Sequence, residues 1–249
     1  MPKEKAIKWP AEFIKAIPVL NRKMKIHQDL PPYDKRRVIT TMLQIVSLLY
    51  IRVGKEQYAK ENKSYGITSL KKKHVRIEGE IIKFNFKAKS HQRVSYTLKN
   101  SIIKNHLKLL FKLEGDKMFQ YINDRGLIMR VTDLDLNQYI QKYMGKEFTA
   151  KDFRTYAANY NFIKSLLHET QRRKPKNDKI IKKNILNARK STAKYLRHTM
   201  AISKKSYIMN FAIELYQTKP EYFINNKDQD PILILLDILH RYKTKILKL

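Results

Sequence analysis

From Asp34 onward, in DKRRVITTMLQIVSLLYIRVG, the apolar positions Met42, Ile45, Val46, Leu49 and Val53 recur every three or four residues. That is the period of a helix with one buried face, and Gly54 marks its predicted end. The pattern then changes. KKHVRIEGEIIKFNFKAKSHQRVSYTL is dense in Val, Ile, Phe and Tyr. It predicts three antiparallel strands near 72–77, 80–87 and 93–98, with turns at Glu78-Gly79 and at Lys87–Gln92. Helical periodicity returns in NSIIKNHLKLLFKL. Thr132 with Asp135 and Thr149 with Asp152 are spaced as capping boxes that open two further helices, and Phe148 and Phe153 occupy the staple positions of the second. QRRKPKND reads as a basic linker. KIIKKNILNARKSTAKYLRH is another helix, and 206–249 is helical with breaks near Pro220 and Pro231.

Residues 1–32 hold Pro10, Pro18, Pro31 and Pro32. They predict an extended, basic lead-in with a short helix from Pro10 to Ala16. No internal repeat is visible. The pattern as a whole predicts a mostly α-helical α+β chain with one small antiparallel three-stranded sheet, 33–249 forming the main domain. At 249 residues and 43% hydrophobic content, the chain is long enough to bury a sizeable core.

Charge narrows the function. Lys and Arg number 53 against 22 Asp and Glu, a formal charge of +31. So large an imbalance opposes compaction unless a polyanion answers it, and for a basic folded domain nucleic acid is the first candidate. The apolar runs MLQIVSLLYI and PILILLDIL are shorter than the ~20 residues of a membrane span. The chain has no cysteine, which excludes disulfides, thiolate zinc sites and a cysteine nucleophile. MPKEKAIKWPAEF has no apolar core of a signal peptide.

Candidate chemistry is sparse. A helix opening at Thr149 presents free N–H groups and the positive end of its dipole. Lys151 and Arg154, three apart on it, make either a phosphate clamp or a solvated basic face. Arg52, two residues before Gly54, either meets the helix C-terminal dipole or is drawn inward towards an anion. Lys89, at a hairpin tip, is either an ordinary exposed lysine or one delivered by the hairpin to a leaving oxygen. RHTMAISKKSYI carries His198 and Tyr207, and Tyr207 is either a core aromatic or a nucleophile. The remaining histidines lack metal-ligand spacing. Only six glycines are present, in no phosphate-binding loop. Any phosphoryl chemistry is therefore expected to run on protein cations, with no metal and no cofactor.

Four segments in order, IRVGKEQYAKENKSYGITSLKKKHV, FKAKS, FTAKDFRTYAANY and HTMAISKKSYI, resemble the type IB DNA topoisomerases, most closely their small poxvirus-like and bacterial-like branch. The resemblance runs from about Tyr33 to Asn210. It implies the catalytic-domain fold shared by these enzymes and the tyrosine recombinases, and five catalytic residues: Arg52, Lys89, Arg154, His198 and the nucleophile Tyr207. It also implies DNA contacts at Gly54, Tyr58, Lys151 and Asn159. The implied reaction nicks one strand of duplex DNA through a 3′-phosphotyrosyl intermediate, lets supercoils relax and reseals without ATP or metal. The implied protein is a monomer on double-stranded DNA, off the membrane and intracellular, wherever genomic DNA is handled. Arg197 stands where the family has Gly, Met200 where it commonly has Pro, and Ala88 where it has the hairpin Gly. The β-rich N-terminal domain of small family members is expected to be absent. A tyrosine recombinase is the near alternative, but those enzymes usually have His-x-x-Arg where this chain has KDFR. A non-catalytic DNA-binding module is the other alternative, and it has no need of Tyr207.

Overall fold

A computed structural model describes residues 3–197 and 208–246. Two compact units are present, one formed by 16–153 and one by 1–15 with 154–249. The chain opens with α1 (Lys3–His27), a helix of 25 residues that runs through Pro10 and Pro18. The predicted extended lead-in is thus corrected. Each proline removes a backbone donor and crowds the preceding turn, but Phe13, Leu20, Met24 and His27 are buried. Their spacing of seven, four and three keeps one stripe facing inward, and burying such side chains is worth ~1.5–3 kcal/mol each.

In the 16–153 unit, α2 (Lys35–Leu49) is capped by Asp34, whose carboxylate accepts the Arg36 N–H. Val38, Ile39, Met42, Ile45 and Val46 are buried. The helix stops before Gly54, because Tyr50 turns left-handed at φ 51° and its N–H closes on the Val46 carbonyl. Arg52 therefore lies beyond the helix, not in its last turn. A short helix, α3 (Glu56–Asn62), follows. The meander is β1 (Val75–Glu78), β2 (Ile81–Lys87) and β3 (Arg93–Lys99), antiparallel in that order. Val75 faces Phe84 and Ile82 faces Leu98. Ile82, Phe84, Phe86, Val94 and Tyr96 bury one face, the period-2 pattern of a half-covered sheet. The first turn is Gly79-Glu80, one residue later than expected, since Glu78 pairs with Ile81. Residues 72–74 are a single 3-10 turn, not strand.

After α4 (Ser101–Leu110), a second hairpin of β4 (Gln120–Ile122) and β5 (Ile128–Arg130) appears. Strands of three residues are too short to display an alternating pattern, so the sequence did not announce them. α5 (Asp133–Met144) begins in the expected capping box. The Thr132 N–H and hydroxyl both donate to Asp135, and the Asp135 N–H donates to the Thr132 hydroxyl oxygen.

In the other unit, α6 (Ala150–Arg172), α7 (Asp178–Tyr195), α8 (Asn210–Thr218), α9 (Pro220–Asn225) and α10 (Pro231–Ile246) are helical, with breaks at the two prolines foreseen. Their core gathers Phe162, Ile163 and Leu166 of α6, Ile185 of α7, Phe211 and Tyr216 of α8, Phe223 of α9 and Leu235 of α10. One polar knot crosses it. The fully buried Tyr216 hydroxyl meets Thr170 Oγ1 at 2.9 Å and accepts from Asn184 Nδ2 at 2.9 Å.

Candidate active site

Arg52, Val53 and Gly54 form an extended run pinned to residues 66–68. The Ile67 N–H donates to the Arg52 carbonyl at 2.8 Å and the Thr68 N–H to the Val53 carbonyl at 2.9 Å. The Thr68 hydroxyl, at 2.7 Å from the Gly54 carbonyl, adds a third tie. Only glycines permit this approach. Gly54 has φ +81°, and a Cβ there would sit 2.7 Å from Gly66 backbone. A Cβ on Gly66 would stand 2.5 Å from the Arg52 carbonyl oxygen. Gly54, expected as a DNA contact, is in this structure one half of a backbone crossing.

The same short segment reaches the hairpin that carries Lys89. The Tyr65 N–H donates to the Lys87 carbonyl at 2.7 Å, and the Ser64 hydroxyl to the Ala88 carbonyl at 3.3 Å. Ala88 and Gln92 close the hairpin at 2.8 Å, and Lys89 is exposed in the 3-10 turn between them. One seam, 64–68, thus fixes both the Arg52 run and the base of the Lys89 hairpin. The sequence reading missed it. Its only signal was Gly66, one of six glycines in the chain.

Beneath the seam, the Tyr65 ring lies 4.3 Å from the His74 ring, which also neighbours Phe86. The Lys71 N–H donates to His74 Nδ1 at 3.1 Å, so that nitrogen carries no proton. Burial first, then Lys73 and Lys71, depresses His74 to about 4. Tyr58, on α3, is 51% exposed and free to meet a ligand. Its helix is anchored at Glu56, which receives Lys117 Nζ at 2.6 Å. Burial pushes Glu56 up, but Lys117 and Arg130 outweigh it and hold the carboxyl below its ordinary range.

On α6, the Thr149 N–H and hydroxyl donate to the Asp152 carboxylate at 2.7 and 2.8 Å. Burial raises the Asp152 carboxyl. Phe148 and Phe153 are buried, as staple residues should be. Lys151 is exposed, whereas Arg154 is only 2% exposed, so the two do not form a common solvent-facing clamp. Arg154 heads the α6 stripe that continues through Ala158, Phe162 and Leu166, and its Nη2 donates to the Leu196 carbonyl at 2.9 Å. Asn159, expected on DNA, is 1% exposed. Its Nδ2 donates to the Thr155 carbonyl at 2.8 Å and its Oδ1 accepts the Met209 N–H at 2.9 Å. Both ends of its amide are therefore engaged within the protein in this structure. His198 and Tyr207 lie outside the described residues.

Residues 11–229 match the family model of the eukaryotic DNA topoisomerase I catalytic core. The chain belongs to the DNA topoisomerase I family. It is 55% identical over 240 residues to the DNA topoisomerase 1B of Acanthamoeba polyphaga mimivirus, 95% of this chain and 71% of that protein. It is 30% identical over 179 residues to the DNA topoisomerase 1 of Rabbit fibroma virus (strain Kasza), 71% of this chain and 52% of that protein. The chain thus spans about half the length of the second relative. Among solved structures, the XerH site-specific recombinase bound to difH substrate, a pre-cleavage complex, is 16% identical with a TM-score of 0.42, covering 80% of this chain and 52% of that one. That likeness is too remote to carry an argument. The topoisomerase assignment is therefore to a viral-like type IB catalytic core, a family that acts on DNA. Among the described residues, no helix is long and apolar enough to cross a membrane.

Proposed function

We propose that Arg52, Lys89, Arg154, His198 and Tyr207 act on one phosphodiester of duplex DNA. The Tyr207 oxygen attacks phosphorus in line, the P–O5′ bond breaks, and Lys89 gives its proton to the departing 5′ oxygen while the phenolic proton passes to solvent. General acid help of this kind is worth about 10²–10⁴ in rate. Arg52, Arg154 and His198 hold the non-bridging oxygens, where one preorganised donor is typically worth about 10²–10³. The 3′-phosphotyrosine replaces one phosphodiester by another, so the free 5′ hydroxyl reseals the strand without ATP after the duplex has swivelled. The chain works as a monomer in the compartment where genomic DNA is handled.

The observation that carries this reading is the seam. A segment of five residues holds the Arg52 run and the Lys89 hairpin by backbone hydrogen bonds, which is preorganisation of a cation pair that a core would not require. The test is supercoiled plasmid with chelator and no ATP, half of each reaction stopped with detergent. Relaxed topoisomers and protein joined to a 3′ DNA end are expected, and Tyr207→Phe should bind DNA yet give neither. Adducts surviving in Tyr207→Phe would remove the assignment.

A further inference from the structure

We propose that α6 braces both ends of the chain that carries His198 and Tyr207, and that Asn159 is a positioning residue for the nucleophile. This rests on the nucleophile reading above. The chain leaves α7 at Leu196, whose carbonyl takes the Arg154 hydrogen bond of 2.9 Å. It re-enters helix at Met209, whose N–H is held by Asn159 Oδ1 at 2.9 Å. Arg154 and Asn159 are five residues apart, about 7.5 Å along a helix axis. The brace is therefore a fixed ruler with one hold before His198 and one just after Tyr207.

The far hold depends on Asn159. Met209 is the N-cap residue of α8, and its side chain caps nothing. The N-terminal end of a helix needs external partners for its N–H groups. Asn159 supplies one from another helix, and its bond to the Thr155 carbonyl fixes which end of the amide faces Met209. The side chain is buried on the same helix as Arg154, so both holds move as one body. A misplacement of about 1 Å at a reacting group costs about 10²-fold in rate. Asn159 then contributes to catalysis by where it puts Tyr207, with no contact to the phosphate.

Two substitutions separate positioning from DNA contact. Asn159→Leu keeps the volume and loses the acceptor. In the enclosed site Asn159→Asp stays protonated, so it keeps an acceptor for the Met209 N–H and a donor for the Thr155 carbonyl, whereas at an exposed DNA contact it would ionise and repel phosphate. In single-turnover cleavage of a short duplex, Asn159→Leu should be slower by about 10²-fold with the DNA Kd unchanged, and Asn159→Asp should recover most of that loss. A substrate with sulfur in place of the 5′-bridging oxygen needs no leaving-group proton. It should rescue Lys89→Ala and leave Asn159→Leu slow. Asn159→Asp binding DNA more weakly than Asn159→Leu would overturn the proposal in favour of a DNA contact. A readout independent of activity is amide hydrogen exchange in the DNA-free protein. The Met209 N–H should exchange faster in Asn159→Leu than in wild type or Asn159→Asp, while the amides of 82–86 stay unchanged as a control for folding. Unchanged exchange at Met209 would overturn the brace even if Tyr207 proves to be the nucleophile. Wild type failing to form the adduct, with the exchange result as expected, would instead reject the nucleophile reading and with it the positioning role of Asn159, leaving only the brace.

Discussion

The two units hold their candidate cations by opposite means. In 16–153, Arg52 and Lys89 stand on irregular backbone whose carbonyls and N–H groups are tied by the 64–68 seam. In 154–249, Arg154 belongs to the buried stripe of a 23-residue helix. The first device makes position depend on backbone approach and leaves side chains such as Lys89 exposed. The second makes position depend on packing, and a lost contact there is felt through the whole helix. Damage should therefore look different in the two units. A backbone clash at the seam should abolish activity at modest cost in stability, whereas changes in the helical core should appear first as lost stability.

Gly66→Ala tests this most severely. Its Cβ would meet the Arg52 carbonyl at 2.5 Å and Gly54 backbone at 2.5 Å, and none of these atoms is the end of a flexible side chain. The Arg52 run must move by about an ångström, which at a reacting centre costs about 10²-fold. The expected result is a cleavage rate down by at least that factor, with thermal unfolding lowered but still cooperative. Wild-type cleavage in Gly66→Ala would mean that the seam does not place Arg52.

That prediction also marks what the sequence could tell. The three-stranded meander was legible because Ile82, Phe84 and Phe86 alternate with polar residues, and the capping box at Thr132 was legible because its partner stands at a fixed offset. The family was legible as four ordered motifs. The seam was not, because it consists of main-chain bonds between residues 52–54 and 64–68, and no side-chain pattern reports a carbonyl's partner. The place of Asn159 was hidden for a related reason. In AANYNF, its buried side of α6 is set by a contact with Met209, 50 residues away. The lead-in misled because its prolines are loud local signals, while Phe13, Leu20, Met24 and His27 speak only through wide spacing.

Acid should weaken the two units unequally. His74 and His106, both in 16–153, are each depressed to about 4, chiefly by burial. The Pro32 carbonyl can only accept, so His106 Nε2 carries a proton, and in the neutral ring Nδ1 then accepts from Thr41, both at 2.6 Å. Both histidines are neutral when folded and become protonated near 6.5 when unfolded. The unfolded chain thus binds more protons between pH 6.5 and about 4, so stability falls as pH drops through that window and is flat above it. Hydrogen exchange at pH 5 should show 65–110 opening before 160–190. The reverse order would break the contrast between the units.

The smallest expected effect compares two tyrosine hydroxyls. Tyr216 is fully buried and bonded to Thr170 and Asn184. Tyr216→Phe leaves an enclosed Asn184 amide hydrogen short of an acceptor, and an unmet buried polar group costs about 1–3 kcal/mol. Tyr139, 7% exposed, lies 2.6 Å from His27 Nδ1 and 3.3 Å from Thr40 Oγ1. His27, though buried, is less completely enclosed than Asn184 (8% against 0% exposed), and the Thr40 bond is long, so both groups find other partners more readily. Tyr139→Phe should then cost about 0.5–1.5 kcal/mol, the net worth of an ordinary hydrogen bond. Urea denaturation of the two variants, read for midpoint at unchanged slope, measures the difference. A larger loss at Tyr139 than at Tyr216 would show that the 16–153 unit relies on its side-chain core no less than the helical one, and the division between backbone-held and core-held cations would lose its energetic basis.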